Sequence, residues 1–214
     1  MPEAGGAWIK ASDVIPMFPT LVWKLELEPA FHEVLNERIA TAITAMRRSL
    51  PALAPGQGWQ SEQNLHERDE LRDLLGPIRQ AATSVLRFLR VGYEVVEITG
   101  CWANVLAPAA SHKMHSHPNN FLSGVYYVRT QPGADTINFH DPRVQAGVIR
   151  PPVVDLTSEN TDQVVVRVKN GTLLLFPAYL SHSVDANGSE RERITISFNL
   201  MFSSFTENLS KPLW

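Results

Sequence analysis

Apolar and polar positions follow two different periods along this chain, and the change falls near residue 93. Phe18 to Leu27 alternates apolar and polar side chains towards its end and is bounded by prolines, which predicts a strand. From Phe31 to Leu50 the apolar Leu35, Ile39, Ile43 and Met46 recur at helical spacing until Pro51 stops the run, which predicts an amphipathic helix. Residues Ala52 to Gln63 are rich in Pro, Gly and Gln and read as a loop, with a short helical turn near Asp69 to Leu75 after it. Pro77 suits the first position of a second helix, whose Ile78, Ala81, Ala82, Val85, Leu86 and Leu89 make one apolar stripe ending near Gly92.

After Tyr93 the segments are short, β-prone and separated by turn residues: Glu94 to Val105, Leu122 to Arg129, Thr136 to Phe139, Val164 to Val168, Thr172 to Phe176 and Arg193 to Phe202. Helices gathered in the first half and strands in the second predict a mainly β fold, a sandwich or jelly roll with the helices packed on one outer face. The chain reads as a single domain over residues 1–214, with a strand and supporting helices in 1–93, a β core in 94–205 and a tail in 206–214.

Composition narrows the function classes. The 214 residues are 44% hydrophobic, enough for a substantial core, and the formal net charge of −3 gives no basic field for a nucleic-acid backbone or an anionic membrane. Neither partner is expected. No apolar run approaches the roughly 18 to 20 residues that span a bilayer, the start has no signal-peptide pattern, and the single Cys101 cannot form an internal disulfide, so a cytoplasmic location is expected. Cys101 sits in a β-prone stretch beside Trp102 and reads as a small core residue rather than a nucleophile.

Candidate chemistry lies with the histidines. Four of the seven fall in or beside two short segments, Ser111-His112-Lys113-Met114-His115-Ser116-His117-Pro118 and Leu180-Ser181-His182-Ser183. On a strand, residues two apart point to one face, so His115 and His117 can offer imidazole nitrogens to one ion. A third ligand must come from elsewhere, and His182 follows Thr172 to Pro177, a strand running into a turn. Nitrogen ligands with open positions suit Fe(II), Zn(II), Cu(II) or Ni(II). His32, His66 and His140 read as ordinary surface or core residues, and His112 as a residue at the entrance.

The segments Trp102-Ala103-Asn104, His115 to Val128, Phe176-Pro177 with His182, and Arg193 to Asn199 stand in an order that resembles the prolyl-hydroxylase-like group of 2-oxoglutarate/Fe(II)-dependent oxygenases. The resemblance spans about residues 98–202 and implies a double-stranded β-helix core, Fe(II) as metal, 2-oxoglutarate as co-substrate and O2 as oxidant. It makes His115 the first ligand, His117 the occupant of the usual carboxylate position and His182 the distal histidine. Most of that superfamily has Asp or Glu where this chain has His117. Asp141, in Phe139-His140-Asp141-Pro142, is the alternative carboxylate.

The co-substrate's far carboxylate needs a cation, and Arg193 is the best candidate, with Arg191 of the same strand parity as its understudy. Arg193, Thr195, Ser197 and Asn199 share one face of an alternating strand, while Ile194, Ile196, Phe198 and Leu200 share the other. A guanidinium can hold a carboxylate through two parallel hydrogen bonds, and Thr195 can add a third. By resemblance, Tyr127 donates its hydroxyl to the same carboxylate and Asn104 contacts the co-substrate. The bland alternative for Arg193 is a surface ion pair with Glu190 or Glu192. Neighbouring side chains such as Ser116, Asn119 or Ser181 are expected to hydrogen-bond to the histidine rings and fix their tautomers.

The function expected is hydroxylation of a small molecule or an amino-acid side chain. Two alternatives stand beside it: a three-histidine, cupin-like dioxygenase without 2-oxoglutarate, and a non-catalytic, metal-stabilised ligand-binding jelly roll. A monomer and a homodimer are both compatible with the sequence. The stretches 145–162 and 52–65 are the expected lids over the site.

Overall fold

The computed structural model describes residues 8–92, 95–143, 145, 148–149 and 151–203. The expected tail 206–214 and the strand start at Glu94 therefore lie outside the described residues. Strand β1 spans Trp23–Glu26, helix α1 Pro29–Met46, strand β2 Gly58–Gln60 and helix α2 Arg72–Phe88. The β-rich half follows as β3 Val96–Leu106, β4 His112–His115, β5 Leu122–Arg129, β6 Thr136–His140, β7 Gln163–Arg167, β8 Thr172–Pro177, β9 His182–Val184 and β10 Arg193–Phe202.

Helix α1 starts with Pro29 in its first turn, where a missing N–H costs nothing, and buries Leu35, Ile39, Ala42 and Ile43. The second helix begins five residues before the expected Pro77, at Arg72, and carries that proline inside it. Two 3-10 turns at Leu65–Glu67 and Asp69–Leu71 lead into it, and full burial of Leu71 and Leu74 draws this entry onto the core. Core burial here outweighs the proline signal.

Two antiparallel sheets lie face to face, one six-stranded in the order β1-β8-β5-β10-β3-β2 and one four-stranded in the order β4-β9-β6-β7. The larger sheet is apolar on its outer face and carries both apolar and polar side chains on its inner one. Its outer face takes Ile194, Ile196, Phe198 and Leu200 of β10, with Tyr126, Leu173 and Leu175, against the helices' Ile39, Ile43, Ile78 and Val85. A buried hydrogen bond of 2.6 Å from Tyr126 Oη to Asn36 Oδ1 ties β5 to α1. Between the sheets, Val125, Tyr127, Ile137, Phe139, Leu174 and Phe176 form a second core. Gly124 on β5 is required by close approach, because a Cβ there would overlap the Phe198 ring and the Leu174 carbonyl.

The helices cover one face of a β sandwich, as the hydrophobic periods predict. The stretch expected as a loop at 52–63 instead contributes β2, which pairs Gly58, Trp59 and Gln60 with Leu106, Val105 and Asn104. It forms a wall of the sandwich, since its backbone donors and acceptors are spent on β3. No helix among the described residues is long and apolar enough to cross a membrane.

Candidate metal centre

Strands β4 and β9 pair at one end of the smaller sheet, and their register sets His115 directly opposite His182. Ring centroids of these two lie 4.4 Å apart. Strand β4 stops at His115, so His117 does not share a strand with it as expected. It follows in a turn whose backbone is held by a 2.9 Å bond from His117 N–H to the Ala178 carbonyl. The turn still returns the ring to the site, 5.1 Å from His115 and 5.2 Å from His182 between centroids. One nitrogen from each of the three lies within 4.8 Å of the others.

The protonation state suits ligation. His115 Nδ1 lies 2.8 Å from the Lys113 carbonyl and His182 Nδ1 lies 3.0 Å from the Leu180 carbonyl. A carbonyl only accepts, so in each ring the hydrogen sits on Nδ1 and Nε2 keeps its lone pair for an ion. Backbone carbonyls two residues upstream thus orient both rings, in place of the expected Ser116, Asn119 and Ser181. Burial, with smaller contributions from neighbouring histidine charge, holds His117 and His182 down to about 4 and leaves them neutral at pH 7.

A second polar group faces the same cavity, of about 460 Å³. Thr195 of β10 pairs with Asn104 on β3 and with Tyr127 on β5, so these three form one cross-strand row. Arg193, two residues along, shares their face and is only 3% exposed. Its guanidinium Cζ lies 5.3 Å from the Tyr127 ring centroid. Arg193 Nε and Tyr127 Oη are buried without a hydrogen-bond partner, and no carboxylate among the described residues pairs with Arg193. A buried guanidinium with an unmatched N–H is costly to keep out of water, and a bound carboxylate would offset that cost. Burial pushes the Tyr127 hydroxyl up, against the opposing pull of Arg193, so it remains a donor at neutral pH.

The four polar residues predicted to share a face, Arg193, Thr195, Ser197 and Asn199, all line this cavity. Asn104 lines it too, but its Nδ2 is spent on Ser197 Oγ at 2.9 Å, so it holds that wall as well as facing the cavity. Arg191 has the right parity yet is exposed outside the cavity, which separates it from Arg193. The surface ion pair imagined for Arg193 goes to a different residue, because Glu192 pairs with Arg47 at 3.1 Å. Asp141 is engaged by Arg143 at 2.8 Å and is not among the clustered histidines.

His112 lines the cavity without joining the ligand cluster. His140 bonds Ser183 Oγ at 2.9 Å, and His32 packs on Gly171. Cys101 is fully buried and its thiol is pushed up to about 12 by that burial, so it is no nucleophile. Several cavity residues were not singled out from the sequence, Lys113 and Gln60 among them. Lys113 lies inside the histidine segment, whereas Gln60 falls in the stretch 52–65 expected as a lid, with no pattern of its own because β2 has only three residues.

The donor set fits a first-row divalent ion: three imidazoles from separate backbone points converge at a cavity that also contains a guanidinium with no carboxylate partner among the described residues. Residues 100–199 match the family model described as "Putative 2OG-Fe(II) oxygenase". No curated protein matches the chain. Among solved structures, a Pseudomonas putida prolyl-4-hydroxylase superposes with a TM-score of 0.57 at 16% identity, covering 86% of this chain and 93% of its own. The non-heme alpha-ketoglutarate-dependent carbocyclase SnoK from nogalamycin biosynthesis gives 0.62 at 15% identity, covering 91% and 89%. HygX from Streptomyces hygroscopicus, solved with nickel and 2-oxoglutarate, gives 0.59 at 11% identity, covering 86% and 83%. The shared architecture is the double-stranded β-helix.

Proposed function

We propose, of this chain with the fold and family match of a 2-oxoglutarate/Fe(II) oxygenase, that His115, His117 and His182 hold Fe(II) and that Arg193 anchors 2-oxoglutarate beside it. The observation that carries this reading is the buried, unpaired Arg193 with the orphaned Tyr127 hydroxyl, both facing the three-histidine cluster across one cavity.

Each residue has a task that its chemistry suits. Arg193 offers two parallel N–H donors to the distal carboxylate of the co-substrate, and Tyr127 Oη and Thr195 Oγ1 add donors from the neighbouring strands. Asn104 keeps Ser197 in place through its 2.9 Å bond, and so holds the wall behind that carboxylate. The inter-sheet core under the site, with Phe139 and Phe176 against the His182 ring, excludes water from the ligand end. The Lys113 and Leu180 carbonyls keep their histidine rings in one tautomer.

With Fe(II) and 2-oxoglutarate bound, the site supplies oxidative chemistry in which O2 and a substrate C–H bond give an alcohol while 2-oxoglutarate becomes succinate and CO2. Three neutral imidazoles add no negative charge at the ion, so its full double charge favours a dianionic chelator. The substrate is a small molecule or an amino-acid side chain.

The deciding experiment measures metal content and 2-oxoglutarate binding in the same samples. His182→Ala is expected to lose metal, and Arg193→Ala to keep metal while losing 2-oxoglutarate affinity. Iron-loaded wild type that never binds or consumes 2-oxoglutarate would sink this reading in favour of a dioxygenase that ligates its substrate directly.

A further inference from the structure

Strand β4 is bulged where it meets β9. His112 is paired with Val184 and His115 with His182, so a step of three residues on β4 matches a step of two on β9. Without the extra residue, an odd step would set the two imidazoles on opposite faces of the sheet. The bulge brings them to one face. That face is the inner one, because Val184 packs on the core between the sheets and both His112 and Val184 line the cavity. The His112 ring stands edge-on to that of His115, 6.3 Å away between centroids, yet it is outside the ligand cluster. No hydrogen bond among the described residues engages it.

The same ring lies within range of Arg193. Strand β3 ends at Leu106, opposite Arg193, and the chain turns from there into β4 at His112. The Arg193 charge bears on His112 and is not among the influences on His117 or His182. His112 thus flanks the path from the ligand cluster to Arg193, along which the co-substrate is proposed to lie. A carboxylate accepts about four hydrogen bonds. The distal carboxylate of 2-oxoglutarate has its donors in the Arg193 fork, Tyr127 and Thr195. The chelating end is less well served, because a 2-oxo acid holds an ion through its keto oxygen and one carboxylate oxygen and leaves the other oxygen open. Trp102, a second donor beside the histidines at 5.8 Å from the His117 ring, pairs with Ser197 and lies beyond the Asn104–Thr195–Tyr127 row as counted from Arg193. We propose that His112 is a co-substrate-binding residue, whose ring N–H holds the open oxygen of the chelating carboxylate and so fixes how the 2-oxo acid lies on the ion. The proposal rests on the reading above for the metal and co-substrate.

The test uses the full chain loaded with Fe(II) without O2, and follows the visible absorption of the iron chelate as 2-oxo acid is added. The probes are 2-oxoglutarate and 2-oxopentanoate, which keeps the chelating end and has a methyl group in place of the distal carboxylate. His112→Phe is expected to weaken both acids by the same factor, about tenfold, with Fe(II) affinity unchanged, and His112→Gln, which keeps an N–H donor, to recover most of the loss. Arg193→Met should do the opposite and remove the preference for 2-oxoglutarate over 2-oxopentanoate. At saturating 2-oxoglutarate the absorption band itself should move in His112→Phe and return in His112→Gln, a change that loss of a distal contact would not produce. A loss confined to 2-oxoglutarate, an unmoved band, or a parallel fall in Fe(II) affinity would overturn the proposal. Wild type that forms no chelate with 2-oxoglutarate would overturn the co-substrate reading and this proposal with it, whereas a normal wild type with His112→Phe unaltered overturns this proposal alone.

Discussion

The two faces of β10 share a backbone and have opposite energetics. Outward, Ile194, Ile196, Phe198 and Leu200 are buried against the helices in the main core. Inward, Arg193, Thr195, Ser197 and Asn199 line the cavity, and the first of them is a buried charge with no carboxylate partner among the described residues. One face stabilises the fold by removing apolar area from water. The other gives up stability that a ligand can restore, because its polar groups are placed before their partner arrives. Substitutions on the two faces should therefore separate folding from binding.

The largest effect is expected on the outer face. Phe198→Ala removes a fully buried ring that Gly124 was shaped to accept, and should cost about 3–5 kcal/mol of unfolding free energy by urea titration. Next comes Arg193→Met on the inner face. It should leave the metal-free protein as stable or more stable, because the unpaired charge is gone, while 2-oxoglutarate affinity drops by about 2–5 kcal/mol in calorimetry. An Arg193→Met protein that unfolds as readily as Phe198→Ala would erase the distinction between the faces.

Metal should act on the ligand end alone. An ion present at 100 times its dissociation constant stabilises by about 2.7 kcal/mol, and a thermal-melt shift of that origin is expected in wild type and absent in His182→Ala. Without metal the same region makes stability depend on pH. His112, His117 and His182 are held down to about 4 in the folded protein, chiefly by burial, against about 6.5 in the unfolded chain. The unfolded chain binds more protons between those values, so stability is full above pH 6.5 and is lost as the pH falls towards 4. A melting temperature of the metal-free protein that stays level through that window would contradict this. The smallest change is Tyr127→Phe, which should weaken 2-oxoglutarate binding by about 0.5–1.5 kcal/mol and leave the metal-free melting temperature unchanged or higher.

What the sequence revealed follows the length of each element. Strands β5 and β10 occupy the β-prone residues predicted for them, Leu122–Arg129 and Arg193–Phe202, since eight or ten residues of consistent composition leave one reading standing. Strands β2, β4 and β9 have three or four residues and no period of their own; they exist because a neighbour accepts their hydrogen bonds. The metal triad was legible for a different reason. Histidines clustered in two short segments carry chemistry whatever the local backbone, so the trio survived although β4 ends before His117.

Side-chain parity placed Arg191 and Arg193 on the same face, and the sequence cannot choose between them because parity says nothing about depth. Burial chose Arg193. Asp141 offered a carboxylate at a reasonable place in the chain, and in the fold it pairs with Arg143.

By itself the sequence determined the two hydrophobic periods, the layering of helices on a β sandwich, the candidate histidine cluster and the polar inner face of β10, because all of these are local patterns of side-chain type. Tertiary structure alone decided which residues meet. The β4–β9 register set His115 opposite His182, the β3–β10–β5 register aligned Asn104, Thr195 and Tyr127, and the approach of β2 placed Gln60 at the cavity. Those contacts depend on the pairing of strands far apart in the chain, which no local pattern encodes.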